Sequence, residues 1–231
     1  MTDAHCHCRT GADRHFVCEP FGGEPGEGDM AFLGVHPWAF LDGASPGDGW
    51  LERLRERLAA DPSAGVGEIG LDRLKVRTIP DAMREAFRAQ LALAAELRRP
   101  VVLHGAKCWG EVVKAAAEFS PAIPAFVFHG FSRSGGLLPD IFALNGFVSV
   151  GPAVLNDHAV NYRELVKAIP ADRLLAETDR TSPDEAGPGV GEVVAAIARL
   201  RGVAADALAA QLDANAAADR SHLFLHPQSA K

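Results

Sequence analysis

Pro100-Val101-Val102-Leu103-His104 sets the pattern on which this chain is built: a proline opens an apolar run, and the run ends on a histidine. Four other pieces share the design, each placing Asp, Glu or His at the end of a short apolar stretch: Asp3-Ala-His5-Cys-His7, Gly67-Glu68-Ile-Gly70-Leu-Asp72, Phe126-Val-Phe-His129 and Leu174-Leu-Ala-Glu177-Thr-Asp179. Short apolar runs separated by helical periodicity are buried strands of a parallel sheet. Strands that repeatedly deliver metal-ligand residue types to one rim predict a (β/α)8 barrel of the TIM type, with its site at the carboxyl ends of the strands.

Outward from these runs, the patterning predicts strands at about 2–6, 15–19, 31–35, 64–69, 101–104, 125–129, 147–150 and 173–178. Leu51, Leu54 and Leu58 form a helical stripe within about 49–60, and Met83, Phe87, Leu91 and Ala94 form another within about 81–98, where Pro80 opens the helix. Further helices are expected over about 110–119, 134–143 and 159–168, with Ala- and Leu-rich helical stretches near 190–200, 203–212 and 213–220. Little room remains for helices between the first three strands. The barrel is therefore expected to be irregular or partly open in its first third.

The 231 residues fit one domain, 1–231, with enough length for a sizeable core. Apolar residues make up 48% and charged residues 23%, and no run of about 18 uncharged apolar residues exists to span a membrane. The start, Met1-Thr-Asp-Ala-His5, lacks a basic segment followed by an apolar one, so a cytoplasmic protein is expected. Cys6, Cys8, Cys18 and Cys108 read as reduced thiols. If the first strand runs on to Cys8, side-chain alternation puts Asp3, His5 and His7 on one face and Cys6 and Cys8 on the other. A net charge of −7 argues against holding long nucleic acid on a broad basic surface, but leaves room for a short end gripped in a metal-rich cleft. Gly/Pro-rich stretches at 22–28, 43–49 and 182–191 read as loops.

The chemistry follows from residue types. His5 and His7 project from one strand and suit two nitrogen ligands on one metal. Glu68, with two carboxylate oxygens, can bridge two cations; His104 and His129 can hold the second. Asp179 either completes the first set or accepts a proton from water. A dinuclear site of this kind serves hydrolysis of a phosphoester or an amide, and mixed imidazole and carboxylate donors accept Zn, Mn, Fe or Ni, with Mg at a carboxylate-rich position. His15, His158, His222 and His226 stand outside the pattern and are expected to be ordinary histidines.

These motifs resemble those of the TatD family of metal-dependent deoxyribonucleases, within the amidohydrolase-like barrels. Asp3-Ala-His5-Cys-His7 matches the family's Asp-x-His-x-His opening, Gly34-Val-His36-Pro37-Trp38 its Gly-x-His-Pro element, and Gly67-Glu68-Ile-Gly70-Leu-Asp72 its Gly-Glu-x-Gly-Leu-Asp. Phe87-Arg-Ala-Gln90 running into Pro100-Val-Val-Leu-His104, then Phe128-His129-Gly-Phe131-Ser132, Glu177-Thr-Asp179 and Asn215-Ala-Ala, extend the similarity over most of the chain. The resemblance implies two divalent ions (Mg, Mn or Zn), one held by His5, His7, Glu68 and Asp179, the other by Glu68, His104 and His129. It implies Asp179, Glu68 and His36 as catalytic residues, with Asp179 the base and His36 a contact to the substrate phosphate. The implied activity is exonucleolytic hydrolysis of DNA from the 3′ end.

Three departures bear on the substrate. Only 28 residues separate His7 from His36, fewer than the family usually has, so a helix or two and part of the rim are missing. The family's usual Arg two residues after the strand-five histidine is absent, leaving Lys107 to supply a charge without the guanidinium fork. Arg133 and Arg180 stand where the family has small residues and are candidate phosphate contacts; Trp38 and Trp109 are candidate base-stacking platforms. The expected partner is a DNA end or a small phosphoester, with no membrane. The alternatives are a small-molecule amidohydrolase or phosphoesterase using the same centre, and a non-catalytic metal- or partner-binding barrel.

Overall fold

The computed structural model describes residues 1–19, 24–132 and 135–224, the side chains of 218–224 excepted. Eight strands follow one another around a single parallel sheet in chain order: β1 (Thr2–Cys6), β2 (Arg14–Cys18), β3 (Met30–Leu33), β4 (Gly65–Asp72), β5 (Val101–Ala106), β6 (Phe126–Phe128), β7 (Gly146–Val150) and β8 (Leu174–Ala176). From β3 onward helices alternate with strands: α1 (Trp50–Ala60), α2 (Asp81–Leu97), α3 (Trp109–Phe119), α4 (Leu138–Ala143), α5 (Val160–Ala168) and α6 (Val190–Arg201), with α7 (Ala205–Phe224) closing the chain. Backbone bonds Asp179 N→His5 O (3.0 Å) and His7 N→Arg180 O (2.8 Å) join the last strand's end to the first, so the sheet closes as a (β/α)8 barrel.

Strand alternation sorts the core into two layers. Phe16, Phe32, Val102, Val127, Phe147 and Leu175 cluster inside the barrel, while Val66, Ile69, Val101, Leu103, Phe126, Phe128 and Leu174 pack outward among the helices. Two residues further along from Phe16, Val102, Val127 and Leu175 stand Cys18, His104, His129 and Glu177. Period two thus carries these side chains to the inner face at the carboxyl rim.

Several expectations need correction. The stretches at 203–212 and 213–220 form one helix, α7, because nothing in Leu212-Asp213-Ala214 breaks it. Pro80, by contrast, opens α2 as expected, as its extended N-cap (φ −62°, ψ 147°). The helix expected from 134 is a 3₁₀ turn, Gly135–Leu137, running into the short α4. The first third is indeed short of helices, yet it is not open: β1, β2 and β3 pair directly.

Two irregularities aim the site. Between Asp3 and Cys6 the β1–β2 register shifts, three steps on β1 against two on β2 (Asp3↔His15, Cys6↔Val17). Between Val66 and Ile69 the β4–β5 register shifts likewise (Val66↔Val101, Ile69↔Leu103). An extra residue in a strand turns the next side chain to the other face. The first bulge brings His5 onto the inner face with Cys18; the second does the same for Glu68, which regular alternation from Val66 would have sent outward. Asp3 therefore does not share the histidines' surroundings. Its carboxylate accepts from Thr178 N (2.9 Å), Thr178 Oγ1 (2.7 Å) and Thr10 Oγ1 (3.1 Å), tying β1 to the segment after β8.

Candidate metal centre

Glu68, 1% exposed, sits at the middle of a ring of imidazoles. Its Oε2 lies 3.5 Å from His5 Nε2 and 3.3 Å from His7 Nε2, while its Oε1 lies 2.6 Å from His104 Nδ1, 2.8 Å from His129 Nε2 and 3.6 Å from His36 Nε2. Asp179 completes the first side, its Oδ1 3.3 Å from His5 Nε2 and 3.7 Å from His7 Nε2. Two close approaches here need glycine, Gly70 against β5 and Gly105 against the start of α3. A Cβ on Gly70 would stand 2.0 Å from the His104 carbonyl oxygen, and one on Gly105 would stand 2.2 Å from the Trp109 ring.

The donors fit divalent cations. Ligands about 2.1 Å from a tetrahedral ion lie about 3.4 Å apart, close to the 3.3–3.7 Å spacing between the His5, His7, Glu68 and Asp179 donors. His5 Nε2 is buried with no hydrogen-bond partner among the described residues, although it is aimed between two carboxylates. Such a nitrogen calls for an ion. Three donor groups converge: His5, His7 and Glu68; His5, His129 and Asp179; His36, Glu68 and His104.

The second ring nitrogen of each histidine separates the ligand candidates from the rest. His7 Nδ1 lies 2.8 Å from the Cys18 carbonyl, which only accepts, so Nδ1 carries the proton and Nε2 keeps its lone pair. His129 Nδ1 faces Glu177 Oε1 at 3.4 Å without a hydrogen bond, which leaves Nε2, toward Glu68, as the nitrogen a cation would meet. His104 is turned over: its Nε2 faces Asp72 Oδ2 at 3.3 Å, leaving Nδ1 as the donor atom. His36 is the opposite case. Its Nδ1 accepts the Trp38 backbone N–H (3.2 Å), so in the neutral ring Nε2 carries the proton and is a hydrogen-bond donor.

Charge balance supports this geometry. Burial pushes the Glu68 carboxyl up, but the imidazoles of His129, His104 and His5 outweigh it and hold it well below the usual range. For Asp179 burial is likewise outweighed, by His5 and His129, and the carboxyl is held at about 2, with half of its side chain exposed. Burial lowers His129, but Glu68 and Glu177 raise it to about 10. Burial lowers His36 and keeps it neutral. Burial pushes the Cys18 thiol up to about 11, so it is a neutral group beside His5.

The remaining sequence candidates fall in different places. Lys107, at φ 56°, lines a rim cavity of about 370 Å³ with Arg73, Cys108 and Trp109. Arg180 donates from its guanidinium to the Gly187 carbonyl (2.8 Å). Arg133 lies outside the described residues, as does His226. Trp109 is core, 3% exposed and packed against Phe128 and Phe131, so it offers no stacking face. Trp38 is 39% exposed at the rim, its indole N–H donating to Asp72 Oδ2 (2.7 Å) with Lys75 over its ring. Cys6 and Cys8 are buried thiols apart from the donor ring, whereas Cys18 lies against it. The sequence reading gave no role to Asp72, Glu177 or Cys18; the first two stood in quoted motifs, but what they touch depends on which strands become neighbours.

A family model described as TatD related DNase matches residues 26–218, a span containing His36, Glu68, His104, His129 and Asp179. The chain belongs to that family. It is 34% identical over 197 residues to the 3′-5′ ssDNA/RNA exonuclease TatD of Erwinia billingiae, covering 79% of this chain and 74% of that protein. It is 32% identical over 149 residues to the uncharacterized metal-dependent hydrolase YabD of Bacillus subtilis, covering 64% of this chain and 57% of that one. Its fold matches the crystal structure of the TatD homolog YjjV from Escherichia coli K12 with a TM-score of 0.81, at 25% identity and 98% coverage of both chains. This TatD-family chain is a metal-dependent hydrolase, and no helix among its described residues is long and apolar enough to cross a membrane.

Proposed function

We propose that this chain is a 3′–5′ exonuclease on short or single-stranded DNA ends, working with two divalent ions. The observation that carries the reading is the position of Glu68, whose two oxygens face two separate donor sets. His5, His7, Glu68 and Asp179 would hold one ion, and Glu68, His104 and His129 the other; Mg, Mn or Zn suits this mixed donor set. Bound there, the ions would supply a water activated at neutral pH and positive charge against the phosphate.

The chain's own groups do the rest. Asp179 stays anionic at neutral pH, faces solvent with half its side chain, and takes the proton from the attacking water before releasing it outward. His36 donates from Nε2 to a phosphate oxygen, its ring fixed by the Trp38 backbone. Lys107 and Arg180, on the same rim, attract the anionic backbone of the substrate, and a net charge of −7 keeps that attraction local. The relatives' names support the substrate class, since the Erwinia billingiae protein is named as a 3′-5′ ssDNA/RNA exonuclease.

The test uses metal-stripped protein resupplied with Mg, Mn or Zn and a short single-stranded DNA labelled at its 5′ end. A ladder of stepwise shortening that needs metal and is lost in Glu68→Gln is the expected result. Intact DNA with every metal would overturn the nuclease reading.

A further inference from the structure

Cys18 touches both histidines of the opening motif through two different atoms. Its carbonyl oxygen lies 2.8 Å from His7 Nδ1, and its sulfur lies 3.4 Å from His5 Nδ1. The residue is fully buried at the carboxyl end of β2, held between β1 and β3 by the sheet ladder (Cys6↔Val17, Cys18↔Phe32). His5 and His7 are also buried, 0% and 2% exposed, so water does not compete for their inner nitrogens. The β1 bulge that turns His5 inward is what delivers its ring to this sulfur.

We propose that Cys18 is a positioning residue for metal binding, fixing His5 through its thiol and His7 through its carbonyl so that both Nε2 atoms present lone pairs to one ion. The inference rests on the metal-centre reading above. An imidazole that gives Nε2 to a cation keeps its proton on Nδ1, and that proton needs an acceptor in a buried site. For His7 the acceptor is a carbonyl; for His5 it is the sulfur of the same residue. The opposite donor set is backed differently, by the carboxylates of Asp72 behind His104 and Glu177 behind His129. A neutral thiol is a weaker acceptor than a carboxylate, so it orients His5 without adding a further negative charge beside Glu68 and Asp179.

Side-chain replacement leaves the backbone carbonyl, and with it the His7 contact, in place. The effect therefore isolates His5. Zinc is titrated calorimetrically into metal-stripped protein, and cobalt is titrated in parallel while its visible absorption is followed, for wild type, Cys18→Ala and Cys18→Ser. Wild type should take up two ions. Cys18→Ala should lose about 10- to 100-fold in affinity for one of them, the range typical of an outer-shell partner, with a changed cobalt spectrum and a far-UV circular dichroism spectrum like that of wild type. Cys18→Ser, whose hydroxyl also accepts, should regain most of that affinity. If Cys18→Ala does not fold, Cys18→Val, near in shape and without an acceptor, carries the same comparison.

Two ions bound by Cys18→Ala (or Cys18→Val) with wild-type affinities and spectrum would overturn the role of Cys18 alone. Wild type that binds no divalent ion would overturn the metal centre and this inference with it.

Discussion

At the scale of single residues, His7 and His36 are both buried imidazoles facing Glu68, at 3.3 Å and 3.6 Å, and distance alone does not tell a ligand from a substrate contact. Their second nitrogens do. His7 gives its Nδ1 proton to a carbonyl, whereas His36 accepts a backbone N–H at Nδ1 and so points a proton toward the centre. Replacing His36 with Ala is expected to lower turnover about 100-fold, the loss usual for a donor to developing charge, while metal content stays at the wild-type value. Metal analysis of the purified variant alongside its rate decides the matter, because loss of an ion would make His36 a ligand. The sequence brought His36 into view through its motif, but its role depends on the Trp38 N–H, a detail of the turn that follows.

At the scale of elements, the first third, which has no α-helix before α1 among the described residues, is held by a buried polar knot. Asp29, just before β3, accepts from His15 N (2.8 Å), His15 Nδ1 (2.9 Å) and Gly26 N (2.8 Å), pairs in charge with Arg9 (Nε at 3.0 Å), and its side chain is wholly buried. Removing that carboxylate leaves several donors unsatisfied at roughly 1–3 kcal/mol each, partly relieved by relaxation. Asp29→Ala is therefore expected to destabilise by about 2–4 kcal/mol in urea melts at pH 7. Burial pushes the Asp29 carboxyl up, but the hydrogen bond from His15 and the backbone donors hold it below its ordinary value of 3.8. A depressed carboxyl stabilises the fold above its unfolded value and loses that contribution as pH falls through its folded one. The gap between wild type and variant should hold from pH 7 to about 4 and close below that; a gap independent of pH down to 3 would exclude the charge as its source.

The strands and helices from β4 onward were legible because apolar runs, Pro100 and the Met83-Phe87-Leu91-Ala94 stripe each act locally. The two bulges were not, since nothing in Asp3-Ala-His5 or Gly67-Glu68 announces an extra residue; it appears only against the partner strand's register. Glu68 stood out through its motif, yet the device that faces it inward lies in the pairing of β4 with β5.

For the whole molecule, the centre ties together strands from both ends of the chain: His5 and His7 from β1 and its end, Glu68 from β4, His104 from β5, and Asp179 from beyond β8. An ion held by such a set binds the folded chain and not the unfolded one, and so stabilises it by about 2.7 kcal/mol when free ion stands at 100 times its dissociation constant. In a domain of this size that corresponds to a rise of roughly 5–10 °C in melting temperature for each ion. Chelation should remove the rise and leave a folded protein, because the parallel sheet and its apolar core hold the barrel together apart from the centre. The rise should also depend on pH with a definite sign. Despite burial, Glu68 holds His104 above 6.5, and with Glu177 holds His129 at about 10, so an entering ion displaces protons. Scanning calorimetry at fixed zinc should show the rise growing from pH 6 to pH 8. A melting temperature indifferent to Mg, Mn and Zn at both values would mean that these donors, close as they lie, take up no ion in the folded chain.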